Sequence, residues 1–261
     1  MQLDGKAILI TGASQGIGAA CAAVFRRRGA RLALTARSAD LLAQVAGPED
    51  VIVPGDLTDA AVRRLAVDRA LEKFGAIDVL INNAGIGLYA PTWQAPLDQV
   101  RAMFELNVFV PLEMIQLVAP HMRARRSGTI VTVSSIAGKM ILPWFTLYSA
   151  TKYAAGAMTE GLRMELRHDG VRTMVVCPGY VKTGFQSHVL AGRPPERLQR
   201  GKPFAITPER CAEAIARGLE RDARTVVTPA IGWVAIAMQR LFPSLMEAQL
   251  ARIYNQRNLP S

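Results

Sequence analysis

The chain has 261 residues, half of them hydrophobic and a fifth charged, a globular composition that excludes a disordered or fibrous protein. One doubly wound α/β domain spanning residues 1–261 accounts for that length without a second domain. The formal net charge of +10 admits nucleic acid, a membrane surface or an anionic ligand as partner, and the placement of the charges has to decide among them.

The chain opens on Leu3-Asp4-Gly5-Lys6 without a secretory pattern, and no apolar run reaches the ~20 residues of a membrane span. Cys21, Cys177 and Cys211 are odd in number and far apart, with no CxxC pair. That spacing argues against a disulfide framework or a metal site, and it fits a reducing, cytoplasmic compartment.

In chain order, apolar β-branched runs predict strands at 6–11, 31–36, 51–54, 79–82, 128–134, 172–177 and 225–228, with helical spacing between them. Such alternation predicts a Rossmann-type parallel sheet with helices on both faces, whose ligands sit at the carboxyl ends of the strands. After the first strand comes Thr11-Gly12-Ala13-Ser14-Gln15-Gly16-Ile17-Gly18, opening an Ala-rich helix. Small residues let backbone approach a pyrophosphate, and the helix start offers free N–H groups and a positive dipole end. A tight turn alone would look similar, but a strand before and a helix after point to a nucleotide. The second strand ends in Thr35-Ala36-Arg37-Ser38. Folds that prefer NAD place an acid there. Here Arg37 and Ser38 suit a 2′-phosphate instead, so NADP is expected over NAD.

The basic clusters Arg26-Arg27-Arg28 and Arg123 to Arg126 fall where helices should end, and read as solvated helix ends rather than a nucleic-acid surface. After the sixth strand, residues 179–208 hold Pro194, Pro195, Pro203 and Pro208 and read as a substrate lid. A C-terminal extension, 229–261, mixes Trp233, Ile236, Met238, Leu241 and Phe242 with Arg240, Arg252 and Arg257. A basic amphipathic helix of this kind would suit anionic lipid, but packing on the domain or on a neighbouring subunit is the preferred expectation.

Six ordered motifs make the sequence resemble the short-chain dehydrogenase/reductase family over roughly residues 5 to 228. The TGxxxGxG pattern is Thr11 to Gly18, and NNAG is Asn82-Asn83-Ala84-Gly85. The helix asparagine is Asn107, and the serine is Ser135, thirteen residues before the tyrosine of YxxxK, which is Tyr148 with Lys152. PGxVxT is Pro178-Gly179-Tyr180-Val181-Lys182-Thr183. The resemblance implies that Tyr148 is the acid/base and that Ser135 orients the substrate oxygen. Lys152 would hold the nicotinamide ribose and lower the tyrosine pKa, and Asn107 would support a water-linked proton relay. It also implies that Asp56, next to Leu57, contacts the adenine, that Asn83, Ala84 and Gly85 line the cofactor, and that Thr183 meets the carboxamide, with Pro178, Gly179 and Val181 beside it. A homodimer or homotetramer through the helices carrying Asn107 and Tyr148 is implied as well. Within the family, Ser135 to Lys139 and Thr35 to Ser38 look most like hydroxysteroid dehydrogenases and membrane-associated carbonyl reductases. The ending after Pro229 departs from that of 3-oxoacyl-carrier-protein reductases.

These residue types suit the chemistry. Hydride transfer to a carbonyl leaves an alkoxide that needs a proton, and a tyrosine with a pKa of ~10 is a poor base unless a cation favours its phenolate. Tyr148 and Lys152 are four apart on one helix face. Ser135 ends a strand and can hydrogen-bond the same oxygen. A hydrophobic carbonyl or alcohol would be the substrate, in a pocket drawn from Ile86, Leu88, Lys139 to Pro143 and Tyr180, with Trp144 and Phe145 nearby. The alternative is a catalytically silent, nucleotide-sensing protein of the same fold. His121, His168 and His188 are isolated and read as surface residues, and Cys177 reads as a packed small side chain.

Overall fold

The computed structural model describes residues 1–185, 189–190 and 204–253. Seven parallel strands form one sheet: β1 (Ala7–Thr11), β2 (Arg31–Ala36), β3 (Val51–Pro54), β4 (Val79–Asn82), β5 (Gly128–Val133), β6 (Val171–Pro178) and β7 (Thr225–Thr228), in the order β3-β2-β1-β4-β5-β6-β7. The expected strands match within one residue at each end. The order reverses between β1, which neighbours β2, and β4, so a crevice opens above their carboxyl ends.

The strands are apolar throughout because both faces are covered. Ile8, Ile10, Leu32, Leu34, Val131 and Val176 point to one side, against Cys21 and Phe25 of α1 (Gly16–Arg27) and Ile215 of α7 (Pro208–Glu220). Leu9, Ala33, Leu80 and Ile130 point to the other, against Val67 of α3 (Ala60–Phe74) and Met114 and Val118 of α5 (Val110–Ala124). Side chains two apart share a face, so a strand buried twice shows no polar alternation. Helices α2 (Ala39–Val45), α4 (Leu97–Phe104) and α6 (Thr146–Glu165) complete the layers. Asp59 caps α3 through the N–H of Ala61 at 2.8 Å, and Thr207 caps α7 through that of Arg210 at 3.2 Å.

Three features differ from the sequence-based expectations. The basic clusters are ion-paired rather than simply solvated. Arg26 reaches Asp50, Arg28 reaches Glu213 and Glu220 on α7, Arg123 meets Asp169 at 2.6 Å, and Arg125 meets Asp78 at 3.2 Å. Their partners lie far off in the chain, where a local reading finds nothing. Second, α4 and α5 run on through a π-helical turn (Glu105–Phe109), giving a 28-residue helical stretch, Leu97–Ala124, long and apolar enough to cross a membrane. Half of its most apolar window is buried in the fold, where Val110, Met114 and Met122 pack on the sheet. Third, α8 (Gly232–Leu241) packs on the domain through Ile236 as expected, but α9 (Pro243–Ile253) is exposed along most of its length. Of the expected lid, residues 186–188 and 191–203 lie outside the described residues, and so do His188, Pro194, Pro195, Pro203 and Arg257.

Candidate active site

A cleft of about 960 Å³ runs across the carboxyl ends of the strands, from the β1–α1 turn to an apolar end lined by Phe185, Val189 and Leu190. At the turn, the Thr11 hydroxyl accepts the N–H groups of Asn83 (2.9 Å) and Ala84 (3.1 Å), and the Asn83 amide donates to the carbonyls of Thr11 (2.9 Å) and Gly12 (3.0 Å). These bonds clamp the ends of β1 and β4 so tightly that side chains are excluded. A Cβ on Gly12 would sit 2.8 Å from the Ala84 Cα, and one on Gly18 would strike the Gly12 carbonyl. Gly12 (φ +65°) and Gly16 (φ +57°) also adopt left-handed backbone. At the N-cap of α1, Gln15 makes no side-chain capping bond, so the first turn of the helix faces the cleft as an anion site. The residues fit a dinucleotide pyrophosphate: a glycine cradle, a helix start without a side-chain cap and a cleft that runs on from the turn to Asp56 on one side and Thr183 on the other.

Gly12, Ser14, Gln15, Gly16, Ile17, Arg37, Ser38, Asp56, Leu57, Asn83, Ala84 and Gly85 all line the cleft, as do Ser135, Tyr148, Lys152, Pro178, Gly179, Val181 and Thr183. Gly18 and Asn107 do not. Gly18 packs beneath the turn, and Asn107 is buried in the π-helical turn. Arg37 is exposed at the end of β2. Asp56 accepts the N–H and hydroxyl of Thr58, both at 2.9 Å. Buried Arg63 on α3 ties the Leu57 carbonyl to Glu113 of α5, and no sequence motif announces this support.

Ser135, Tyr148 and Lys152 all line the cleft. Ser135 follows β5 by two residues as the N-cap of a 3₁₀ turn, and its Oγ accepts the Ala137 N–H at 3.1 Å and donates weakly to the Pro178 carbonyl at 3.5 Å. Tyr148 and Lys152 lie on one face of the first turns of α6, both buried. The Lys152 ammonium donates to the Val133 carbonyl at 3.1 Å and lies 5.7 Å from the centre of the Tyr148 ring. The Asn107 amide is committed to the Ile86 N–H and carbonyl (2.9 Å each) and to the Thr151 hydroxyl (3.0 Å). Its Oδ1 and the Lys152 Nζ both border Gly85.

Burial pushes the Tyr148 phenol well above its ordinary value of 10. A side-chain hydrogen bond from Ser135 works the other way, and Tyr89 adds to the rise. Burial also pulls the Lys152 ammonium down to about 8, with Cys177 opposing. Lowering of the tyrosine pKa by the lysine, expected from the sequence, is therefore not the dominant effect. Burial is the largest influence on both side chains, raising the phenol and lowering the ammonium.

The apolar end corrects the expected pocket. Ile86, Leu142, Phe145 and Tyr180 line it as expected, but Leu88, Lys139, Met140, Ile141, Pro143 and Trp144 do not. Leu88 is buried in the core, Lys139 turns away to Glu160, and the exposed Ile141 binds Gln239 of α8 through its backbone. A 3₁₀ turn (Ile136–Gly138) and left-handed backbone at Trp144 rotate these side chains out of line. Tyr89, Ala102, Leu106, Phe185, Val189 and Leu190 take their place. Val189 pairs with Gly87 across a short parallel bridge, and Ile206 pairs with Val181, so the described parts of the 179–208 segment lean on the cleft. Cys177 is packed as expected, its thiol pushed up to about 11 by burial. His121 and His168 are exposed.

The short chain dehydrogenase family model matches residues 6–193, which include every one of these clefted motifs. The chain belongs to the short-chain dehydrogenase/reductase family. It is accordingly an oxidoreductase. A relative in Anopheles gambiae, a dehydrogenase/reductase SDR family protein 7-like, is 32% identical over 257 residues, covering 93% of this chain and 81% of its own. A short-chain dehydrogenase from Burkholderia cenocepacia, solved in complex with NADP, superposes with a TM-score of 0.82 at 30% identity, over 96% of this chain and 99% of that one. A short-chain dehydrogenase/reductase from Burkholderia phymatum, solved with NAD, gives 0.84 at 27% identity, over 94% and 96%. Structures of the family thus hold either dinucleotide in this fold.

Proposed function

We propose that this chain is an NADP-dependent reductase of hydrophobic ketones, with Tyr148 as the acid/base. The observation that carries the reading is the meeting of Ser135, Tyr148 and Lys152 between a phosphate-binding turn and an apolar chamber. Gly12 to Gly18, Arg37, Asp56, Asn83 to Gly85 and Thr183 would hold the dinucleotide, and the nicotinamide when bound supplies the hydride. Ser135, only weakly engaged with Pro178, turns its hydroxyl to the substrate oxygen and holds it beside the phenol. Tyr148, protonated at neutral pH, then donates its proton to that oxygen, which suits the reductive direction. Lys152 keeps a cation at the ribose side. The proton that Tyr148 gives up would be replaced from the Asn107 side, past Lys152 to the phenolate, and Asn107 also fixes the Ile86 loop.

Among the described lining residues the charged ones, Arg37, Asp56 and Lys152, all lie on the cofactor side. The opposite end, with Ile86, Leu142, Phe145, Phe185 and Leu190, selects an uncharged apolar substrate. The free, buried cysteines fit a cytoplasmic setting. Phe109, Tyr153 and Met164, exposed on the α5–α6 side, fit burial in a homo-oligomer, which sedimentation would register. The test of function is NADPH consumption with a panel of steroid, terpenoid and long-chain ketones. Turnover that is lost in Tyr148→Phe while NADPH binding survives is the expected result. Tight NADPH binding with no turnover on any ketone would instead mark a silent nucleotide sensor.

A further inference from the structure

Phe145 stands at the N-cap of α6 and carries no polar atom for chemistry, yet its backbone is pinned on both sides. Trp144 before it has φ of +59°, a left-handed conformation that bulky residues rarely adopt. The Ala90 N–H holds that turn by donating to the Trp144 carbonyl at 2.9 Å. The Phe145 carbonyl accepts both the N–H (2.8 Å) and the hydroxyl (3.0 Å) of Ser149. Strain of this kind persists where surrounding structure enforces it, and it clusters at working sites.

What the turn achieves is a row of three rings. Phe145 stacks on Tyr89 at 4.3 Å between centroids and 15° between planes, and on Tyr148 at 4.1 Å and 21°. Phe185 closes on Tyr148 at 5.7 Å, tilted by 59°. Gly87 makes room, since a Cβ there would come within 3.1 Å of the Phe185 ring and 3.3 Å of the Phe145 ring. Helix α6 places the Cα of Tyr148 but leaves two side-chain torsions to set where the hydroxyl points. Ser135 engages only the hydroxyl tip. Lys152, at 5.7 Å, does not grip the ring. Phe185 meets the ring tilted and farther off, so the stacked face of Phe145, nearer and close to parallel, is the contact that fixes the plane.

We propose that Phe145 is a positioning residue for Tyr148: its ring, held by the left-handed turn at Trp144 and backed by Tyr89, sets the angle at which the phenol meets the substrate oxygen. The proposal rests on Tyr148 being the acid/base. Proton transfer needs hydrogen-bond distance, and a misplacement of about 1 Å can cost about 100-fold in rate. The same ring keeps water off one face of the phenol.

The test compares Phe145→Leu, Phe145→Tyr, Tyr89→Leu and Tyr148→Phe, using NADPH and any ketone the wild type reduces. Phe145→Leu is expected to lower kcat about 10- to 100-fold, with ketone KM and NADPH Kd changed by less than about threefold. The alkaline limb of its kcat–pH profile should move to lower pH as the phenol gains water. Phe145→Tyr, which keeps a stacked ring, should recover most of the loss. If Phe145→Leu fails to bind NADPH and so has not folded, Tyr89→Leu decides, with a smaller kcat loss and the same limb shift expected. A rise in KM with kcat and the alkaline limb unmoved would make Phe145 merely a chamber wall and overturn the proposal. Tyr148→Phe separates the two levels: if it retains activity, the acid/base reading itself fails, whereas an inactive Tyr148→Phe beside an unaffected Phe145→Leu refutes the positioning role alone.

Discussion

Arg37 and Lys152 are the two cations among the described residues lining the cleft, and burial gives them different work. Arg37 is exposed where β2 ends in Ala36, with no carboxylate to accept a ribose hydroxyl. A 2′-phosphate brings close to two negative charges, so Arg37→Ala should weaken NADPH by about tenfold or more and leave NADH nearly unchanged. Ala36→Asp should shift preference towards NADH by adding both an acceptor and a repulsive charge. Titrating both cofactors into each variant checks this, and equal weakening of the two by Arg37→Ala would refute the assignment. Lys152 is buried and holds its proton less tightly folded than unfolded, about 8 against 10.5. The folded state therefore binds fewer protons between those values, so this residue's contribution to stability is greatest above 10.5 and falls away as pH drops through 8. In urea titrations, wild type should gain on Lys152→Met as pH rises from 8 towards 10, on the order of 1 kcal/mol per unit. A constant difference across that window would mean that burial does not depress this lysine.

At the scale of elements, the β1–α1 turn was legible residue by residue because its requirements are local. Left-handed backbone at Gly12 and Gly16 and the close approach of Gly18 to Gly12 each demand glycine within eight positions. Gly18→Ala should accordingly destabilise the fold by about 1–3 kcal/mol and weaken dinucleotide binding, as thermal unfolding with and without NADPH would show. Unchanged unfolding would mean that the turn relaxes at little cost. The YxxxK spacing was legible for the same reason, since one helix face brings both side chains to the cleft. The apolar chamber was read less well. Tyr89, Leu106 and Phe185 come from three separate segments, and the turn at Trp144 puts Phe145 in the chamber while turning its neighbours away. No periodicity in a loop reports which way its side chains point.

Over the whole molecule, α9 is exposed along most of its length, whereas α8 is anchored by Ile236 and by Gln239, whose amide bonds both backbone groups of Ile141. Truncation after Phe242 should therefore leave the melting temperature of the isolated domain within about 2 °C of wild type, while truncation before Gly232 should lower it by several degrees. Calorimetry on the two shortened chains decides, and a large loss from the first would show that α9 is covered by a stabilising contact. The sequence by itself determined the parallel sheet, the nucleotide turn and the Ser135–Tyr148–Lys152 group. The sheet, the turn and the Tyr148–Lys152 pairing follow from short-range rules, since doubly buried strands are apolar throughout, tight turns need glycine and helix neighbours sit four apart, whereas Ser135 was picked out by the family resemblance. The tertiary structure alone decided that the basic clusters are spent on ion pairs, that the long apolar helix packs on the sheet, and that burial pushes the Tyr148 phenol up and the Lys152 ammonium down. Those outcomes depend on which distant groups meet and how much water is excluded between them, and burial is a property of the packed chain rather than of any segment within it.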